Sequence, residues 1–245
     1  YAEWLALPEA ERGHMRTYTV RDVLGSGPDT RVVVDLVTHG TDGHGEAGPG
    51  SRWAASATVG SRVLLLGPRK GVVYGGIEFA APEDSELLLV GDETAVPAIA
   101  AVLAQLPVDA AGAAFLEVPL GMDVQSLVHP PRVEVTWLPR EGRPVGSLLH
   151  EAVLGHLGAG AAPVEVPEAE VGGGLWETPT YAASGDSLDE HTTSVGHDLA
   201  DLCAWVAGES RVVTGLRRAL VRDLGLDRRQ VAFMGYWREG VSMGA

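Results

Sequence analysis

The stretch "SELLLVGDETAVPAIAAVLAQLP", residues 85–107, decides the fold. Leu87–Val90 is a short apolar run, too short for a helix and right for a strand buried on both faces. Gly91 and an acidic turn follow, and then an apolar helix that Pro107 ends. The same order recurs outward along the chain. "GAAFLEVP" (112–119) and "RVEVTWLP" (132–139) read as the next strands, and "VGSLLHEAVLGHL" (145–157) as a helix. "LCAWVAGE" (202–209) is a strand, "SRVVTGLRRALVRDLG" (210–225) a helix, and "QVAFMGYW" (230–237) a last strand. Short apolar strands alternating with helices predict a mostly parallel sheet covered on both faces, an α/β domain over residues 83–245. Residues 159–198 interrupt it. "GAGAAPVEVPEAEVGGG" and "ETPTYAASGDSLDEHTTSVGHD" are rich in Gly, Ala, Pro and polar residues, and predict a long surface loop.

Residues 1–82 have a different texture. "HMRTYTVRD" (14–22), "RVVVDLVTH" (31–39) and "SRVLLLGP" (61–68) read as strands, with a Gly-rich loop and a short helical stretch between the last two. Three strands are too few to close a barrel. The first of them has no clean apolar face: Arg16, Tyr18 and Val20 alternate with Thr17, Thr19 and Arg21. An edge strand with both faces partly wet is one reading, and a strand that touches a ligand is the other.

The chain has 245 residues and a net charge of −15. An acidic surface repels nucleic acid and anionic membranes, so neither is an expected partner. No apolar run is long enough to span a bilayer, so no membrane insertion is expected. The single cysteine, Cys203, excludes an internal disulfide and suits the cytoplasm, and its apolar surroundings predict a core thiol. None of the His pairs has the helical spacing of a zinc site, so no metal ligation is expected.

Three motifs carry chemistry. In "GPGSRWA" (48–54) glycines free the backbone where a helical turn opens; its N–H groups suit a phosphate, or Ser51 is a plain N-cap. In "LLLVGDETAVPAI" the turn after the strand lies where an open α/β sheet binds ligands, although its spacing is not G-x-G-x-x-G. "GYWREG" (235–240) places two aromatics and an arginine after a strand; they stack on a flat ligand or plug the core.

Together, "HMRTYTVR", "VDLVTHG", "GPGSRWA", "GDETAVPAI", "WVAGES" and "GYWREG" occur in an order that resembles the siderophore-interacting protein family, flavin-dependent ferric-siderophore reductases of the ferredoxin-reductase-like superfamily. The resemblance implies an N-terminal FAD-binding antiparallel β-barrel over 1–82, its first strands absent from this sequence, followed by a parallel α/β nicotinamide-type domain. It implies that Arg16 pairs with FAD phosphate, Tyr18 packs on the isoalloxazine, and Thr19 bonds near its polar edge. It implies Asp35 and His39 at the cofactor's polar parts, Gly50, Ser51 and Trp53 at the pyrophosphate, and Asp92 and Thr94 near the domain cleft. Gly50 stands where the family commonly has Ala, an exchange expected to be harmless. Trp237 is expected near the isoalloxazine and Tyr236 toward the interior.

The implied reaction is reduction of a ferric siderophore. Hard oxygen ligands hold Fe(III) far more tightly than Fe(II), so one electron releases the iron. The implied cofactor is non-covalent FAD, with NAD(P)H or reduced ferredoxin as electron donor. Arg238, with Arg69 and Lys70, is expected to hold the siderophore complex. The chain is expected to be a cytoplasmic monomer. Two alternatives stand beside this reading: a flavin oxidoreductase with another acceptor, such as a quinone or free flavin, and a non-catalytic siderophore-binding carrier.

Overall fold

The computed structural model describes Trp4 and residues 6–38, 47–67, 71, 79–159, 175–178 and 199–240. The chain divides into two compact units, one of residues 1–73 with 242–245 and one of residues 74–241.

In the larger unit, six strands form one sheet: β3 (Glu86–Gly91), β4 (Ala111–Val118), β5 (Arg132–Pro139), β6 (Trp176–Glu177), β7 (Leu202–Glu209) and β8 (Val231–Trp237). Their spatial order is β5-β4-β3-β7-β8-β6. All neighbours are parallel except β6, which runs antiparallel to β8 at the edge. The period of two along each strand builds two cores. Leu88, Val90, Phe115, Val206 and Phe233 face one side, where α3 (Ser147–His156) and α4 (Ser210–Arg217) deliver Leu149, Val153, Val213 and Leu216. Leu89, Leu116, Trp205 and Met234 face the other, against Ile99 and Leu103 of α2 (Val96–Gln105). The α/β reading of the sequence therefore holds, strand by strand, with β7 and β5 at the predicted residues.

Three details differ from expectation. The helix after β7 ends as α-helix at Arg217 and widens into a π-helical segment, Arg218–Asp223, that keeps Ala219 and Leu220 buried. The predicted loop at 159–198 contains the short edge strand β6, whose Glu177 accepts bonds from Arg217 at 2.6 and 3.2 Å; residues 160–174 and 179–198 lie outside the described residues. Cys203 is only half-buried, and that burial pushes its thiol pKa up.

The smaller unit holds one antiparallel ladder, β1 (Val20–Leu24) with β2 (Arg31–Val34), and the helix α1 (Pro49–Ser56). No barrel closes among the described residues, because each of these strands has only the other as neighbour. The strand expected at 14–22 begins only at Val20, and the one expected at 31–39 ends at Val34. Residues 61–67, expected as a strand, pair with nothing described, and Leu64 is 100% exposed. Apolar alternation makes a strand only where a ladder partner and a covered face are present.

Candidate functional site

In the smaller unit, the "GPGSRWA" motif forms the opening of α1. Pro49 at its first position presets the helical φ and removes an N–H that would have no partner. Gly48, not Ser51, is its N-cap, with no side-chain cap bond and no acidic residue in the first turn. Ser51 is buried inside that turn. Gly50 lies against Tyr18: a Cβ at position 50 would stand 2.5 Å from the Tyr18 hydroxyl oxygen. The structure thus brings the "RTYT" and "GPGS" motifs together through Tyr18 and Gly50. Tyr18 is 45% exposed and Trp53 38% exposed, so both rings offer a face. Arg16 is half-buried and donates from Nη1 to the Met15 carbonyl at 2.6 Å. Thr19 is half-buried at the entry to β1. Asp35 pairs with Arg21 at 2.5 Å. His39, Arg69 and Lys70 lie outside the described residues. A helix opening with a glycine and no acid in its first turn fits the pyrophosphate of FAD.

The larger unit has the opposite character at the carboxyl ends of its strands. Asp92, just past β3, is 1% exposed. Its Oδ1 accepts from the Thr94 amide at 2.9 Å and the Thr94 hydroxyl at 2.5 Å. Its Oδ2 accepts from the Glu209 amide at 2.7 Å and from Trp237 Nε1 at 2.8 Å. Gly208 makes this approach feasible: its φ is +143°, and a Cβ there would be 2.6 Å from Asp92 Oδ2. Burial raises the Asp92 pKa to about 6, with the Glu93 charge adding to the rise and the bonds from Thr94 and Trp237 opposing it. Trp237 is half-buried, and its carbonyl accepts from the Ser210 hydroxyl at 2.8 Å. Tyr236 stacks on Trp176 at 6.0 Å and meets Trp205 edge-on at 6.4 Å, so it packs within the protein. Arg238, half-buried, follows directly on β8.

Three further charged residues belong to this end of the sheet; the sequence reading gave none of them a role, although Glu209 lies within "WVAGES". Glu117, in β4, is 0% exposed and accepts from the amides of Gly146 (2.7 Å), Leu148 (3.0 Å) and Leu149 (3.4 Å) at the start of α3. Arg140 grips Glu93 with two bonds, 2.6 and 2.9 Å, and reaches Glu117 at 3.4 Å. Burial works against the Arg140 cation, but Glu93 and Glu117 outweigh it and hold its pKa above the ordinary value. Glu209, at the end of β7, accepts from the Arg211 amide at 2.6 Å and the Val212 amide at 3.1 Å, capping α4. A readable signal existed for Glu117: a carboxylate within "AAFLEVPL" must be satisfied by the fold if that strand is buried.

The siderophore-interacting FAD-binding domain family matches residues 1–72, and the siderophore-interacting protein family matches residues 84–240. The chain belongs to the siderophore-interacting protein family. An uncharacterized protein of Mycobacterium tuberculosis is 36% identical over 236 residues, 96% of this chain and 68% of the relative. The ferric vibriobactin reductase of Vibrio cholerae is 27% identical over 225 residues, 92% of this chain and 65% of that protein. A siderophore utilization protein from T. fusca, known from its crystal structure, superposes with a TM-score of 0.61 at 32% identity, over 94% of this chain and 68% of that one. The family's arrangement, an FAD-binding domain followed by an α/β domain with a mostly parallel sheet, is the arrangement of this chain. No described helix is long and apolar enough to cross a membrane.

Proposed function

We propose that the chain is a flavin-dependent reductase of ferric siderophores that releases iron as Fe(II). The observation that carries this is the match of both family domains, in order, along nearly the whole chain. Relatives named ferric vibriobactin reductase and ferric acinetobactin reductase support it. Oxygen-donor siderophores discriminate strongly for Fe(III), so a one-electron reduction is sufficient to loosen the metal. Bound non-covalently, FAD supplies the ability to accept an electron pair and pass electrons on singly.

In this reading Arg16 pairs with cofactor phosphate as a guanidinium fork, and the first turn of α1, with Gly50 and Ser51, receives the pyrophosphate. Tyr18 and Trp53 offer ring faces; Thr19, Asp35 and His39 serve the polar groups. Trp237 flanks the cofactor ring, and Asp92 and Thr94 serve near the domain cleft; the Asp92 carboxylate accepts from the indole Nε1. Arg238, Arg69 and Lys70 hold the anionic face of the ferric complex. We place the domain boundary at residue 82, and read the chain as a cytoplasmic monomer whose donor is NAD(P)H or reduced ferredoxin.

The test is anaerobic turnover. The protein, reconstituted with FAD and reduced by dithionite, is mixed with several ferric siderophores while a chelator traps Fe(II). Stoichiometric Fe(II) from at least one complex is expected. A flavin that stays reduced beside every complex would overturn the reading in favour of another acceptor or of a carrier. Arg16→Ala is expected to lose FAD, and unchanged occupancy would remove Arg16 from the phosphate.

A further inference from the structure

We infer that the α/β domain, although of nicotinamide-type fold, does not seat a dinucleotide pyrophosphate on the turn amides at the ends of β3, β4 and β7, because Asp92, Glu117 and Glu209 already hold them. The inference deepens the reductase reading, on which it rests for its meaning: it concerns the electron donor.

In an open α/β sheet the ligand crevice lies where the strand order reverses. Here β4 and β5 build outward from one side of β3, and β7 and β8 from the other, so the crevice lies between the ends of β3 and β7. A pyrophosphate binds in such a crevice through free N–H groups at a helix N-terminus, with the helix dipole in its favour. At the β7 end, the Arg211 and Val212 amides point at the Glu209 carboxylate, which is also the acceptor of the Glu239 amide at 3.3 Å. At the β3 end, the turn into α2 is closed by Asp92, whose side chain takes the Thr94 amide and whose carbonyl takes the Ala95 amide at 2.9 Å. At the neighbouring β4 end, the opening of α3 is filled by Glu117. Each of these carboxylates is nine-tenths or more buried. A phosphate entering here would displace a satisfied carboxylate and then sit against its charge in a poorly solvated place. Arg140, the cation that reaches Glu117, already has its fork on Glu93.

The turns at the ends of β3, β4 and β7 each hold a carboxylate on their amides. A diphosphate on these three turns is not consistent with the bonds they already make. Reducing equivalents then come from a donor that does not bind through a pyrophosphate on these turn amides.

The test uses the full chain loaded with FAD. ADP-ribose, NADH and NADPH are titrated in turn to about 1 mM, where even weak complexes of millimolar Kd begin to fill. Amide NMR resonances of Thr94, Gly146, Leu148, Arg211 and Val212 report the crevice. Those five resonances are expected to stay in place with all three compounds. Saturable displacement of the Arg211 and Val212 resonances, or of Gly146 and Leu148, by ADP-ribose or by either dinucleotide would overturn the inference. The dithionite experiment above needs no dinucleotide, so the reductase reading and this inference succeed or fail separately.

Discussion

The indole Nε1 of Trp237 donates to Asp92 Oδ2 at 2.8 Å, joining residues 145 positions apart in sequence. The bond ties the end of the last strand to the turn after the first strand of the sheet. It also sets two opposing demands on Asp92: burial favours the neutral acid, and its donors favour the carboxylate.

Trp237→Phe keeps the ring and removes the N–H. Asp92 then loses one of the bonds that favour its charge, so its pKa should rise further. The expected stability loss is about 1 kcal/mol, the net value of a typical buried hydrogen bond. Chemical denaturation at pH 7 and a carboxyl titration of Asp92 check both parts. An unmoved Asp92 titration would mean that the bond contributes nothing in solution.

Asp92 also makes stability depend on pH. Its folded pKa, about 6, lies above the ordinary value of 3.8, so the folded state binds the proton more tightly than the unfolded chain. This contribution is fully present at low pH and is lost as pH rises through about 6. Between those values wild type should lose up to about 1.4 kcal/mol per pH unit relative to Asp92→Asn. Parallel curves for the two proteins would show that Asp92 titrates normally.

Glu117 offers a sharper stability test. Glu117→Ala leaves the opening amides of α3 without their acceptor and Arg140 with one acid fewer. A loss of about 3–5 kcal/mol is expected, as for breaking one side of a buried charged network. Glu117→Gln keeps an acceptor oxygen and should cost clearly less. Equal losses for the two variants would place the effect in side-chain volume.

Gly50→Ala puts a methyl group where the Tyr18 hydroxyl now lies, 2.5 Å away. The hydroxyl is the free end of a side chain, so the Tyr18 ring should swing aside with little loss of stability. In the FAD-loaded protein the consequence should appear as a changed flavin absorption or emission spectrum. Spectra identical to wild type would show that the ring does not approach the flavin.

Arg238→Ala is expected to raise KM for anionic ferric complexes about tenfold, and more at low salt, because the −15 background repels them. Cationic hydroxamate complexes should be little affected. Equal changes for both classes would assign Arg238 to the fold or to the flavin.

The α/β half was legible because β3, β4 and β7 are apolar runs closed by Gly, Pro or an acid. Leu202–Glu209 is strand from its first apolar residue to its last. Leu64 was not legible in the same way: "RVLLLG" has the residues of a strand, but strand formation depends on a neighbour that a local pattern does not contain. Among the site residues, Gly50 and Tyr18 were readable as motifs, and their contact was not. Asp92 was readable as a turn residue at a ligand-binding position; its burial follows from Gly208, more than a hundred residues away. Glu117, Arg140 and Glu209 were missed because their role is to satisfy helix openings, a relation set by packing across the sheet.

The central strand has a consequence for how the protein is made. β3 pairs with β4 soon after it in sequence, but its other edge pairs with β7, where Glu86 meets Leu202. During synthesis β3, β4 and β5 can assemble first, and the Leu87–Val90 backbone then presents an unpaired edge until β7 has emerged. Closing that pairing carries the entropic cost of a long intervening loop, so it should be the slow step. The nascent sheet is therefore exposed to association with other chains during this interval, and protection by a chaperone would matter most there.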